Sequence, residues 1–219
     1  MLKNFRISKK LAIGFGAVVG VIVLSSTAIY VEMQSLAELE RVNSVSDDAV
    51  DNLDKAKGDV SRVQSLVRKL VMTGAESDHA KIDKELKAYT VDIGAVRAIL
   101  AKEEPGLLPK LDAYDKAVTA YTGTTLANEV QLASSPATRA QAMDLEASGG
   151  GQSVIDTLNE SFGTASTAIA RWSDSFTAAS DSAMNRMLII VALGGVVSTV
   201  LASLMAWLIS RAIARPIGS

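Results

Sequence analysis

Along the middle of the chain, apolar side chains recur at alternating spacings of three and four, the repeat of helices that pack side by side. The first series runs Leu39, Val42, Ser46, Ala49, Leu53, Ala56, Val60, Val63, Val67 and Leu70, with Ser46 its polar member. A second runs Ile82, Leu86, Tyr89, Ile93, Val96 and Leu100, and a third Leu111, Tyr114, Val118, Tyr121, Thr125, Asn128 and Leu132. The fourth extends from Ile155 through Leu158, Phe162, Ala165, Ile169, Trp172, Phe176 and Ala179 to Ala183. Gly74 suits a helix C-cap and Ser77-Asp78 a helix start. Glu104-Pro105-Gly106 suits a tight reversal, and Ser134-Ser135-Pro136 ends the third series. Short connections force neighbouring helices to run antiparallel. The pattern therefore predicts an all-α fold, an up-down-up-down four-helix bundle.

Both outer series run into purely apolar sequence. Leu11 to Val31 holds no charged residue over 21 positions, and Met187 to Ser210 holds none over 24. A helix needs about 20 apolar residues to cross a bilayer, so each segment predicts a membrane span. The expected organisation is an N-terminal segment (1–10), a transmembrane helix (11–31), a four-helix domain (32–186), a second transmembrane helix (187–210) and a connector (211–219). A secretory signal is the competing reading of the first segment, because Lys3, Arg6, Lys9 and Lys10 precede it and Ser26-Thr27-Ala28 has the spacing of a cleavage site. Against it, the segment is longer than a signal core of roughly 7–15 residues, and the helical pattern runs on unbroken.

Charge sets an orientation. The flanks carry Lys3, Arg6, Lys9, Lys10, Arg211 and Arg215 with no acid among them. The middle holds all 24 acids against 16 of the 22 bases, a net charge of −8. Basic flanks stay in the cytoplasm, so both termini are expected there and the acidic domain on the far side of the membrane. Tyr30 and Trp207 lie where aromatic side chains anchor at an interface. At about 1.5 Å per residue, the first helix reaches on the order of 60 Å past the bilayer and the middle two roughly 40 Å. The Gly106 turn is then expected on the membrane-facing side, with the tips of the first and fourth helices distal. Ala137 to Ala147 reads as helical, but Ser148-Gly149-Gly150-Gly151 breaks the heptad phase and predicts a kink or short loop, or a flexible linker.

Little in the chain supports catalysis. There is no cysteine and a single histidine, and the carboxylates are spread along helix faces, so no nucleophile, base or metal cluster is expected and no cofactor is implied. An acidic, weakly aromatic exterior argues against nucleic acid as a partner. Glu38, Glu40, Asp47, Asp48, Asp51 and Asp54 read as a solvated face, with a cation site the alternative. His79, one step before Ile82 in the heptads, is either a helix-end cap or a ligand-contacting, pH-sensitive group. More informative are the polar residues at core positions of the third helix. Thr125 and Asn128 stand there, with the Tyr121 hydroxyl just before them, and buried polar groups need partners: a bound solute, water or cross-helix hydrogen bonds.

Two stretches carry a family likeness. Leu2-Lys3-Asn4-Phe5-Arg6-Ile7-Ser8-Lys9-Lys10-Leu11 with Gly14-Phe15, and Ile209-Ser210-Arg211-Ala212-Ile213 followed by Ala214-Arg215-Pro216-Ile217, resemble the first spanning helix and the entry to a HAMP module in methyl-accepting chemotaxis proteins. The resemblance implies a chemoreceptor of the bacterial inner membrane: a homodimer with a periplasmic sensor domain. It would bind a small solute far from the membrane and signal to cytoplasmic proteins by a small displacement of its last helix. Sensor histidine kinases and nucleotide cyclases share this input half, and the output module after Ser219 decides between them. In the resembled family, distal arginines clamp ligand carboxylates at the dimer interface. Arg62 and Arg68 are the candidates here, with Arg139 on the rim and Tyr121, Thr125 and Asn128 nearby, for a small anionic ligand of carboxylate type.

Overall fold

The computed structural model describes residues 7–149 and 151–214, and among them there is no strand: the fold is all-α. The basic start at Lys3 and Arg6, Gly150 of the glycine run and the Arg215-Pro216-Ile217 turn lie outside the described residues. The helices are α1 (Ile7–Thr73), α2 (Ser77–Glu103), α3 (Leu108–Tyr121), α4 (Ala127–Ala133), α5 (Arg139–Ala147) and α6 (Gln152–Ala214). A short 3-10 turn at Pro105–Leu107 enters α3, and a π-helical turn at Thr122–Leu126 joins α3 to α4. The chain divides into two compact units, Val42–Phe176 and the described parts of Met1–Arg41 with Thr177–Ser219.

In the Val42–Phe176 unit the heptad series become a core. Along α1 the series read from the sequence is buried from Ser46 through Ala49, Leu53, Ala56, Val60, Val63 and Val67 to Leu70, and Asp59 and Val71 beside it are buried too, while Leu39 and Val42 are half-buried. On α2 Ile82, Tyr89, Ile93, Val96 and Leu100 are buried, and on α6 Leu158, Ala165, Ile169 and Trp172. Tyr114 of α3 lies at the centre, fully buried, with its ring edge-on to Tyr89 (6.3 Å between centroids) and to Phe162 (5.5 Å). Polar ties cross between helices: Tyr89 Oη donates to Asp115 Oδ1 (2.8 Å), Arg97 Nη2 donates to Asp115 Oδ2 (2.9 Å), and Ser173 Oγ donates to Asp47 Oδ1 (2.6 Å). Asp47 of the acidic stretch thus has a helix-pairing role, while Asp48, Asp51 and Asp54 face solvent.

The connections obey their turn chemistry. Gly74 has a φ of +64°, and its N–H donates to Leu70 O (2.7 Å), closing α1 with the left-handed residue such an end favours. Asp78, rather than His79, takes the inward position at the start of α2. It is fully buried and held by Lys81 Nζ at 2.6 Å and Lys69 Nζ at 3.5 Å, and the Lys81 hydrogen bond keeps its carboxyl below the usual range. His79 is half-buried, its Nε2 3.5 Å from Ser134 Oγ. The residues around the glycine run separate α5 from α6, and Gly149 has a φ of +68°.

A Cβ on Gly74 would fall 2.1 Å from Cζ of Arg139, whose guanidinium lies against the turn. Gly74→Ala should therefore cost about 1–2 kcal/mol, mostly from the left-handed backbone, since the arginine tip can swing away. Thermal denaturation followed by circular dichroism measures it. A variant as stable as wild type would show that this turn relaxes out of the left-handed region.

The second unit has the opposite surface. Eighteen-residue stretches of α1 and α6 reach mean hydropathies of 2.2 and 2.4, with only 6% and 0% of their residues buried. Both helices are long and apolar enough to cross a membrane. Leu24, Ile22 and Val23 of α1 and Leu188, Leu193 and Val196 of α6 are all more than half exposed. Within this unit Gly14 admits the Met205 side chain, and Arg186 meets Glu32 at 3.3 Å.

Candidate functional site

The third heptad series holds as far as Tyr121 and then slips by one residue. Beyond it the structure buries Leu126, Glu129 and Ala133, where the repeat read from the sequence points to Thr125, Asn128 and Leu132. The π turn at Thr122–Leu126 is the cause: one extra residue in the turn rotates everything after it by a full position. Thr122-Gly123-Thr124-Thr125 is a run of weak helix formers, which lowers the cost of such a widened turn. Asn128 is consequently exposed, correcting its expected core position, and Glu129 takes the inward place at 5% exposure.

The slip builds a polar cluster from four helices. Arg68 Nε on α1 donates to Glu146 Oε1 on α5 at 2.8 Å, and among the described residues no acceptor meets its terminal N–H groups. Glu129 on α4 interacts with that same Glu146 carboxyl. Burial, then the neighbouring charge and hydrogen bond of Glu146, push the Glu129 carboxyl up to about 7, and Arg68 opposes them. Tyr121 on α3 is 2% exposed and interacts electrostatically with Arg68, Glu129 and Glu146; burial, then these carboxylates, raise its hydroxyl pKa. Thr125 is half-buried in the π turn, and its methyl group stands where a side chain at residue 151 would go: a Cβ on Gly151 would lie 2.4 Å from Thr125 Cγ2. Glycine at 151 is thus what lets the start of α6 close on the π turn.

Arg62 belongs to another cluster. Its Nε donates to Glu85 and its Nη2 to Asp59, and burial raises the Asp59 carboxyl above its usual value despite the opposing Arg62 charge. Arg139 opens α5, with its Nε buried and without a hydrogen-bond partner. Of the residues singled out from the sequence, the fold therefore brings together Arg68 and Tyr121, sets Thr125 against Gly151 in the π turn that follows Tyr121, places Arg62 elsewhere and turns Asn128 to solvent. Glu129 and Glu146 were missed. The signal available for Glu129 was the alternative spacing Leu126, Glu129, Ala133, which becomes a core series once a one-residue slip is admitted.

Chemically the cluster can exchange a proton near neutrality and can offer Arg68 to an anion. Among the described residues no group of three or more His, Cys, Asp or Glu side chains is placed to hold a metal ion. No protein-family model, curated protein or solved structure matches this chain.

Proposed function

We propose that the chain is the input half of a transmembrane chemoreceptor. In this reading Val42–Phe176 is the antiparallel four-helix sensor bundle, the apolar parts of α1 and α6 span the bacterial inner membrane, and both termini are cytoplasmic. The receptor works as a homodimer, has no catalytic activity of its own in this chain, and signals to cytoplasmic proteins through an output module beyond Ser219. The observation that carries the reading is the continuity of α6. A single helix, Gln152–Ala214, includes both core residues such as Leu158 and Ile169 and the most apolar exposed stretch of the chain. A helix without proline transmits displacement along its axis, and shifts of about 1–2 Å are the scale on which such interfaces switch. Its start closes on the π turn through Gly151 and Thr125, so a solute at the Arg68 cluster would act on the end of the rod.

For the ligand, Arg68 supports the clamp better than Arg62. Arg62 has two carboxylate partners, whereas Arg68 spends one N–H on Glu146 and keeps its terminal donors for a solute carboxylate. Tyr121 and Thr125 complete that neighbourhood, and Asn128 would contribute from the exposed side.

The membrane part of the reading is tested by topology. The native chain has no cysteine, so single cysteines at Ser8, Ser77 and Ser219 report without background. A membrane-impermeant maleimide applied to intact cells should label position 77 alone. Strong labelling at 8 or 219 refutes the orientation, and labelling of none refutes exposure of the sensor.

A further inference from the structure

Away from the Arg68 cluster, a cleft of about 440 Å³ opens between the entry to α3 and the first third of α6. Leu107 and Lys110 line one side, and Gly163, Thr164, Thr167, Ala168 and Arg171 the other. The α6 residues are spaced by three and four, so they share one helical face. Four of them are small, which recesses the floor and leaves Arg171 standing at its end. Neither Lys110 nor Arg171 makes a hydrogen bond or ion pair among the described residues, and the hydroxyls of Thr164 and Thr167 have no protein partner there either. The nearest acids in sequence do not neutralise them: Asp112 is taken by Arg97, and Asp174 forms no ion pair with Arg171.

We propose that this cleft binds a small oxyanion of phosphate type, with Lys110 and Arg171 as its two cations and the Thr164 and Thr167 hydroxyls as neutral donors. The unit around it is acidic, and long-range repulsion is screened over about 8 Å, so an anion is held only where cations converge without carboxylate partners. Lys110 and Arg171 meet that condition across a concave surface, while Arg62 and Arg97 are each engaged by two carboxylates. The volume lies within the range of small-molecule sites, roughly 300–1,000 Å³, and leaves room for a substituent on the phosphate. The occupant is either a soluble phosphate or the phosphodiester of a lipid headgroup; the Gly106 turn beside Leu107 is expected from helix lengths to face the membrane. The inference stands independently of the receptor reading, since every residue of the cleft belongs to Val42–Phe176.

The test is calorimetric titration of the chain in micelles of a neutral detergent, in low-chloride buffer, with inorganic phosphate and separately with glycerophosphoglycerol. Phosphate should bind saturably, on the order of 1 mM, and Lys110→Gln and Arg171→Gln should each weaken it about tenfold, as expected for one charge-assisted contact. Both side chains are exposed, so circular dichroism should show folding unchanged. Arg68→Gln should leave phosphate binding intact, which separates this site from the proposed solute site. Tighter binding of glycerophosphoglycerol identifies a lipid headgroup as the occupant, and tighter binding of phosphate a soluble anion; both support the cleft. No saturable heat with either probe up to about 20 mM, or unchanged affinity in both cleft variants, overturns it.

Discussion

Replacing Tyr114 by alanine should destabilise the Val42–Phe176 unit by about 3–5 kcal/mol, whereas replacing it by phenylalanine should leave stability unchanged or raise it by up to about 1 kcal/mol. The ring is fully buried and touches Tyr89 and Phe162 edge-on, so truncation opens a large cavity and removes two aromatic contacts. The hydroxyl is a different matter. It is buried with no hydrogen-bond partner, and burial followed by the nearby Asp59 and Asp115 carboxylates raises its pKa, so it stays neutral. Removing an unsatisfied buried hydroxyl relieves a desolvation penalty rather than breaking a bond. Urea denaturation of both variants, followed by circular dichroism in micelles, gives the two numbers. A loss above about 1 kcal/mol for Tyr114→Phe would mean that a bound water or solute satisfies the oxygen, with the unpartnered Asp59 Oδ2 a candidate second contact.

Legibility in the sequence followed the physics of each element. The α1 series was readable because eight of the nine buried positions from Ser46 to Leu70 keep one phase, with Asp59 alone outside it, and burial on one helix face is a local property of spacing. Gly74 was readable because a left-handed helix end demands glycine, whereas α2 starts at Ser77 without the side-chain cap that Ser77-Asp78 suggested, Glu76 standing at the N-cap with helical angles. Two errors share a mechanism: at the start of α2 and after Tyr121, the inward residue is one position from where it was expected, and in both places a carboxylate takes it. Asp78 and Glu129 look like surface residues by composition. Their burial is made tolerable by Lys81 on the same helix and Lys69 from α1 for the first, and by a retained proton for the second. The Arg68–Glu146 pair joins residues 78 apart, and no local pattern encodes which acid an exposed arginine will meet. Of the candidate site, Tyr121 was therefore open to reading by its heptad position and Arg68 through the family likeness, and its acidic half was not.

Glu129→Gln should abolish a pH dependence that is opposite in sign to ordinary acid denaturation. Folding raises the Glu129 carboxyl to about 7, above its value of 4.5 in the absence of the fold. Between those values the unfolded chain releases the proton while the folded chain keeps it, so stability falls as pH rises through the window and levels off above it. The full shift corresponds to about 3 kcal/mol at roughly 1.4 kcal/mol per unit, and relaxation of the site around the ionised carboxylate reduces the expected effect to about 1–2 kcal/mol. Glutamine holds the neutral shape and can donate to Glu146, so the variant should match wild type near pH 4.5 and exceed it by that amount at pH 7.5 and above. Asp78 acts in the other direction: its depressed carboxyl contributes stability that is lost as pH falls through the carboxylate range, and it does so in both proteins. The difference between the two denaturation curves therefore isolates Glu129. A difference that stays flat across pH 4.5–8 would mean that Glu129 ionises normally and that the slip at the π turn leaves it solvated. In the proposed receptor the same titration bears on function, because ionising a second carboxylate beside Arg68 weakens its hold on an anionic solute above pH 7.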